Sequence, residues 1–200
     1  NSARMSDVLP PRKYDEIVCS FQNIAAKVTI IARNEVKHFC EHIDLDLRGD
    51  QLVFIAVLNA NEQHKESVVR HAIKLAVKLS VKWFLEKENI RRIEMKSSPN
   101  RVSVGLHYGT VVLGLHKRFQ GKTGTSKPVK TNRVTPEGFA INFGKRVESA
   151  SRYGTGSGIT VSQSFKAICN RAGFPVLFSG AIHAEAKGFE SSEPVFELTA

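Results

Sequence analysis

Residues 137–149 form the most informative segment of this chain and read Glu-Gly-Phe-Ala-Ile-Asn-Phe-Gly-Lys-Arg-Val-Glu-Ser. Within it, Asn142 and Arg146 are four residues apart, so a helix brings both side chains to one face, where they can contact one ligand. A guanidinium offers a planar fork of donors that suits phosphate oxygens, and an amide can orient a sugar. The alternative is a solvated helix face on which Lys145 pairs with Glu148.

The segments around this one alternate between predicted helices and strands. Helices are expected at about Tyr14 to Phe39, Glu66 to Glu88 and Gly138 to Tyr153, with a short one after residue 162. The first carries an apolar stripe at helical spacing, formed by Ile17, Phe21, Ile24, Val28 and Ile31. Strands are expected at His42 to Leu58 (a hairpin turning at Gly49-Asp50), Arg101 to Tyr108, Thr110 to Leu115, Ile159 to Ser162, Val176 to His183 and Val195 to Leu198. The first eight residues read as a weak, half-polar strand. Strands separated by whole helices, with hairpins between some of them, predict an α+β fold, an α/β sandwich in which helices cover one sheet.

Two aspartates, Asp7 and Asp50, each end a predicted strand at a turn. If the two strands are neighbours, both carboxylates lie at the same edge of a sheet. Carboxylates there are the hard oxygen ligands that Mg²⁺ or Mn²⁺ requires, and few are needed because substrate phosphates supply the rest. The alternative is structural, with Asp50 favouring the Gly-Asp turn and Asp7 capping a helix or loop.

Composition and charge limit the classes of function. The 200 residues contain 29 Lys and Arg against 19 Asp and Glu, a net charge of +10, so an anionic partner is expected. No linker divides the chain, and we predict one domain over residues 1–200. No apolar stretch approaches the ~20 residues that span a bilayer, so no membrane partner is expected. Three widely spaced cysteines favour the cytoplasm.

Residues 117–133 contain six basic residues and no acidic one. We interpret this stretch as a flexible, basic hairpin arm that lies across a dimer or the mouth of a substrate site. Phe119 is its sole aromatic residue, which is too little for a platform that stacks bases. Nucleic acid is therefore not an expected partner.

Taken together, the motifs resemble the catalytic domain of the class III nucleotidyl cyclases. That family has a Gly-x-x-(Val/Ile)-Asn-x-x-x-Arg-(Met/Val)-Glu-Ser helix, and residues 138–149 match it in register. Residues 104–114 are similar to its Gly-Ile-His-x-Gly hairpin, and residues 48–52 to its Ile-Gly-Asp turn. Residues 159–162 and 187–198 match the strand after the helix and the closing strands. The resemblance implies a mostly antiparallel central sheet covered by helices, of βααββαββαβ type.

The resemblance also implies roles for single residues. Asp7 and Asp50 match the two aspartates that bind two Mn²⁺ or Mg²⁺ ions per site, with the carbonyl of Val8 as a further ligand. Asn142 and Arg146 match the residues that orient the ribose and steady the transition state. In such enzymes the 3′-hydroxyl attacks the α-phosphate and pyrophosphate leaves. The aspartates come from one subunit and the Asn and Arg from the other, which implies a homodimer with two composite sites.

Four further residues are candidates for binding the nucleoside triphosphate. Lys187 lies near the family's triphosphate-binding lysine. Asp46 and Thr135 stand where purine-specific members read the base, and neither suits adenine. Asp46 and Arg48, two apart on a strand, face the same way and offer an acceptor and a donor fork for uracil. Alternatively, they pair with each other or with Lys187.

The format of the chain looks like that of the pyrimidine cyclases of bacterial anti-phage (Pycsar) defence. The expected function is therefore conversion of UTP, preferred over CTP, to cyclic UMP or cyclic CMP as a second messenger in antiviral defence. The alternatives are a purine (guanylate or adenylate) cyclase and a catalytically silent, cyclase-like nucleotide-binding module.

Overall fold

The structure, a computed structural model, describes residues 9–48, 50–59, 61–120, 129–182 and 193–199. Its helices are α1 (Pro11–Val36), α2 (Lys65–Phe84), α3 (Lys87–Glu94), α4 (Phe139–Ala150, followed by a 3-10 turn at Ser151–Tyr153) and α5 (Gln163–Arg171). Its strands are β1 (His42–Arg48), β2 (Gln51–Val57), β3 (Val104–Leu106), β4 (Val112–Gln120), β5 (Val129–Glu137), β6 (Ile159–Ser162), β7 (Leu177–Ile182) and β8 (Val195–Thr199).

The strands form three groups. β1 and β2 are an antiparallel hairpin, as predicted, and β4 pairs with β5 in a second antiparallel hairpin. The third group is a four-stranded sheet in the order β3-β6-β8-β7, in which only the β3–β6 pairing is parallel. The mixed helices and mostly antiparallel strands confirm the predicted α+β class.

Two predictions were wrong, one about the length of a helix and one about the pairing of two strands. The helix expected over 66–88 is two helices, because Glu86 is extended and its carboxylate accepts a hydrogen bond from the Glu88 N–H at 2.7 Å, which caps α3. The strands expected on either side of Gly109 do not pair with each other. β3 pairs with β6, whereas β4 runs on to Gln120 and pairs with β5 inside the basic stretch, as a hairpin arm would.

The core lies between the long helices and the sheets. Helix α1 begins at Pro11, where proline's fixed φ suits a first helical turn, and it buries Ile17, Phe21, Ala25 and Val28. That stripe packs on Leu79 and Trp83 of α2, with the Phe21 and Trp83 rings edge to face at 5.6 Å. A second cluster fills the space between α2, α5 and the four-stranded sheet.

Helix α4 is held against the sheet by its buried face, which consists of Ala140, Phe143, Val147 and Ala150. Thr160 on β6 donates a hydrogen bond to the Val147 carbonyl, and its hydroxyl is also 3.3 Å from the Val104 carbonyl. The backbone of α4 comes so close to β3 that a Cβ on Gly105 would lie 2.2 Å from the Glu148 nitrogen. The position of α4 therefore depends on a residue without a side chain.

The three cysteines, Cys19, Cys40 and Cys169, are free thiols. Burial raises the pKa of the Cys40 and Cys169 thiols to about 11. In the described parts of the chain, each helix is too short or too polar to cross a membrane.

Candidate functional site

A groove of about 1020 Å³ separates the β1–β2 hairpin from β3. One wall is β2 with the residues that follow it, and the other runs from Val102 to Val111. β2 pairs with β1 along one edge, and β3 pairs with β6 along one edge. The other edge of each of these two strands, β2 and β3, has no partner strand among the described residues. We call this space the β2–β3 groove. It is bounded by strand edges whose backbone N–H and C=O groups are available for pairing.

Asp50 lies at one end of the groove, exposed in the turn between β1 and β2. Glu148 of α4 lines the same groove. Burial raises the pKa of the Glu148 carboxyl above its ordinary value, and the negative charge of Asp50 raises it further. The groove thus brings two acidic groups from distant parts of the chain into electrostatic range of each other.

Helix α4 presents three different faces. Ala140, Phe143, Val147 and Ala150 are buried. A second face lines the groove and consists of Ile141, Gly144, Lys145, Glu148 and Arg152. The predicted alternative, a solvated pairing of Lys145 with Glu148, does not describe this face. The Glu148 carboxylate instead accepts a hydrogen bond from the Ser149 hydroxyl, and the positive charge of Arg152 acts to lower its pKa.

The third face of α4 and its following turn carries Phe139, Asn142, Arg146, Ser149 and Tyr153, which recur at spacings of three and four. As predicted, Asn142 and Arg146 share this face. Asn142 is exposed and Arg146 is half-buried, and neither belongs to the lining of the groove in the described residues. Phe139 is 54% exposed and Tyr153 is 74% exposed, so large aromatic rings stand at both ends of the face.

The remaining predicted residues lie elsewhere. Asp46 is half-buried on β1 opposite Val53, and Arg48 ends β1 opposite Gln51. Thr135 is half-buried on β5 opposite Gly114. Asp7, Val8 and Lys187 lie outside the described residues, so their positions stay predictions.

His107 sits in the wall of the groove but is engaged locally. Its Nδ1 is 2.9 Å from the Ser162 hydroxyl, and its ring meets Phe143 edge-on at 4.9 Å. Burial lowers the pKa of the imidazole from 6.5 to about 4. A neutral, packed histidine is a structural member of the wall, and it is poorly suited to accept a proton as a general base.

Carboxylates are the donor set that this groove offers to a cation. Asp50 and Glu148 supply hard oxygen atoms, which suit Mg²⁺ or Mn²⁺ better than softer metals. Among the described residues no group of three or more His, Cys, Asp and Glu side chains gathers around one point. A divalent ion in this groove would therefore need further oxygen ligands besides Asp50 and Glu148.

No protein-family model and no curated protein matches the chain. Among solved structures, it is similar to the adenylyl cyclase CyaB from P. aeruginosa, with a TM-score of 0.66 and 14% sequence identity. The superposition covers 100% of this chain and 88% of that one. The chain has the class III cyclase fold. The predicted α+β, class III cyclase-like fold is thus confirmed.

Sequence reasoning did not select Lys145 and Glu148 as groove residues in this cyclase fold. Both are near Asn142 and Arg146 in sequence, but they lie on a different side of the same helix. Helical spacing could have identified this second face, because residues 141, 145, 148 and 152 recur every three or four positions and none belongs to the buried stripe.

Proposed function

We propose that the chain is a nucleotidyl cyclase that converts a nucleoside triphosphate to its 3′,5′-cyclic monophosphate and pyrophosphate. The observation that carries the proposal is that different faces of α4 carry different candidate residues. This helix directs Asn142 and Arg146 away from the groove that contains Asp50, within a fold shared with an adenylyl cyclase. Two half-sites that point in different directions suit a site built from two copies of the chain.

In this reaction the 3′-oxygen forms a bond to the α-phosphorus, and the bond from that phosphorus to the β-phosphate oxygen breaks. Arg146 would donate hydrogen bonds to phosphate oxygens as charge accumulates on them, which favours the transition state over the ground state. Asn142, one helical turn away, would hold the ribose so that its hydroxyl is in line. The half-burial of Arg146 limits its motion and supports this positioning role.

Asp50 and Asp7, with the Val8 carbonyl, would hold two Mg²⁺ or Mn²⁺ ions. Such ions, when bound, lower the pKa of the attacking hydroxyl and offset the charge of the triphosphate. The edges of β2 and β3 that meet no strand among the described residues support this proposal, because the groove between them would accommodate the strand predicted to end at Asp7, beside Asp50.

A homodimer is the proposed active form. The face with Asn142 and Arg146 carries exposed aromatic rings at Phe139 and Tyr153. On the β4–β5 hairpin, whose second strand leads into α4, the cross-strand partners Leu115 and Val134 are also exposed. Exposed apolar side chains on these adjoining elements support a protein–protein contact here. A second copy seated there would bring its own Asp50 to the Asn142 and Arg146 of the first.

For the base, we propose a pyrimidine, with UTP preferred over CTP and antiviral signalling as the role. Asp46 and Arg48 would read the uracil edge, with Thr135 beside the base and Lys187 on the triphosphate. Asp46 is half-buried, so it can form hydrogen bonds in a partly dehydrated setting. An adenylyl cyclase with this fold favours the second candidate, a purine cyclase.

The test is to incubate purified protein with Mn²⁺ and each of the four nucleoside triphosphates separately and to identify products by mass spectrometry. Cyclic UMP as the main product supports the whole proposal. Cyclic AMP or cyclic GMP as the main product contradicts the pyrimidine assignment and leaves the cyclase assignment standing. Absence of every cyclic product, from protein shown to be folded and dimeric, contradicts both.

Asp50→Ala separates an enzyme from a silent module. Asp50 is exposed in a turn, so the variant should fold normally and lose turnover. Asp15→Ala, which removes an exposed aspartate on α1, is the matched control and should keep full activity. Equal activity in both variants would contradict the role of Asp50.

A further inference from the structure

Helix α2 carries two rows of side chains on the side that faces away from the core. One row is apolar: Val77 is 40% exposed, Val81 is 50% exposed, and Leu85, directly after the helix, is 60% exposed. The other row is basic and consists of Lys74, Lys78 and Lys82. Each lysine precedes an apolar residue of the first row by three positions, so the two rows lie side by side. We call these six residues the outer face of α2.

The buried side of α2 fixes the direction of its outer face. Leu79 and Trp83 pack on α1, and Ala76 packs on Ile159 and Leu198 of the sheet. A close-packed core of this kind does not allow the helix to rotate and turn its exposed valines inward. The apolar row is therefore a fixed part of the surface.

The charge on the outer face has one sign. Between Glu66 and Glu86 the chain contains no acidic residue, while Arg70 adds a fourth positive charge to the three lysines. Within the described part of the chain, none of the three lysines forms an ion pair. Their charges are thus available to an anionic partner, as expected for a chain with a net charge of +10.

An anionic lipid surface matches both rows. Apolar side chains of a surface helix enter the boundary between headgroups and acyl chains, and lysines extend their apolar stems so that the ammonium groups stay among the headgroups. A protein that receives a helix needs a groove shaped for it, whereas a bilayer adapts to a convex helix. The lack of a spanning stretch concerns another kind of contact, because binding to a membrane surface requires only one amphipathic face.

We propose that the outer face of α2 binds the surface of a membrane that contains anionic lipids. Val77, Val81 and Leu85 enter the headgroup boundary, and the three lysines pair with headgroup phosphates. Phe84, which is 49% exposed, lies beside the apolar row and adds to the inserted surface. None of these residues belongs to the candidate catalytic site, so the proposal does not depend on the reaction.

The test is sedimentation of the whole chain with sucrose-loaded vesicles at physiological ionic strength. One set of vesicles is pure phosphatidylcholine, and the other contains equal parts of phosphatidylcholine and phosphatidylglycerol. Saturable binding to the anionic vesicles, with much weaker binding to the neutral ones, supports the proposal. Binding to polyglutamate-coated beads without binding to either set of vesicles would indicate an acidic protein partner and overturn it.

Two variants locate the contact on α2. The first combines Lys74→Gln, Lys78→Gln and Lys82→Gln and should weaken binding to anionic vesicles about a hundredfold, because each lysine near such a surface contributes about fivefold. The second combines Val77→Ser and Val81→Ser and should weaken binding at least about tenfold through lost apolar contact. Circular dichroism checks that both variants fold.

The matched control removes the same charge from another helix. Lys27→Gln, Arg33→Gln and Lys37→Gln together change three exposed basic residues on or directly after α1, and this variant should bind nearly like the wild type. Equal losses in the two triple variants would reduce the effect to net charge and overturn the proposed face. Unchanged binding of the valine variant would overturn the insertion of the apolar row. None of these measurements requires cyclase activity.

Discussion

The carboxylate of Glu197 on β8 binds the backbone of the loop over residues 155–158. It is 3% exposed and accepts hydrogen bonds from the backbone N–H groups of Thr155, Gly156 and Gly158 at 2.9–3.1 Å. A buried carboxylate is tolerated when several donors surround it. The loop that leaves α4 is therefore anchored to the last strand of the sheet.

Glu197→Gln should destabilise the protein by about 1–3 kcal/mol, because the new NH₂ group faces N–H donors that it cannot accept from. Urea denaturation followed by circular dichroism measures this change. Glu193→Gln, an exposed glutamate in the segment before β8, is the control and should shift stability by less than about 0.5 kcal/mol. Equal effects of the two substitutions would contradict the anchoring role.

His107 makes the stability depend on pH. Its folded-state pKa is about 4, below the ordinary 6.5, so the unfolded chain takes up a proton that the folded chain does not. The stability contributed by the neutral ring is complete above about pH 6.5 and is lost as pH falls toward 4. His107→Gln should show a shallower loss of melting temperature between pH 7 and 4.5 than the wild type. Parallel curves would contradict this linkage.

At the scale of elements, the contact of α4 with β3 sets the geometry of the site. The two backbones approach at Gly105, which leaves no space for a side chain beside Glu148. Gly144 on α4, by contrast, faces the His107 Cβ at the ordinary distance of 3.8 Å from an added Cβ. Glu148 and Arg146 move with α4, so a displacement at Gly105 displaces the candidate site.

Gly105→Ala should destabilise the fold by about 1–3 kcal/mol, because the added methyl group overlaps backbone atoms that cannot turn away. Gly144→Ala should be neutral or stabilise by up to about 1 kcal/mol, because alanine favours the helix and meets no close atom. Thermal denaturation of the two variants beside the wild type measures both. Equal stability of the two variants would show that α4 is not held at Gly105.

At the scale of the whole molecule, the proposed site needs two copies of the chain. Asp50 borders the groove within one copy, while Asn142 and Arg146 lie on another face of α4 amid exposed apolar residues. In the proposed arrangement, each copy contributes Asp50 to one site and Asn142 and Arg146 to the other, and a symmetric pair completes both sites.

Mixing two inactive variants tests this composite site. Asp50→Asn and Arg146→Gln should each be nearly inactive, with losses of about a hundredfold or more. After the subunits exchange in an equal mixture, half of the dimers are mixed and each has one intact site, so about a quarter of wild-type activity should return. Recovery that is absent, although exchange is demonstrated by tagged subunits, would contradict the composite arrangement.

Much of the fold was predictable because local spacing encodes it. The helix α1, the β1–β2 hairpin, the strand at Ile159–Ser162 and the position of Asn142 and Arg146 on one helix face all follow from periods of 3.6 and 2 residues. The predicted stripe of α1 was wrong at its end, because Ile31 is 40% exposed and Ala32 and Val36 are buried instead. The break between α2 and α3 was missed, since it depends on how the Glu86 side chain folds back onto the backbone.

What the sequence by itself determined is the order and type of most elements and the cyclase-like motifs on them. Only the tertiary structure decided that β3 joins β6 and that Glu148 lines the same groove as Asp50, within electrostatic range of it. These are contacts between residues far apart in the chain. Local periodicity orients a side chain about its own helix or strand, whereas the packing of whole elements determines what that side chain meets.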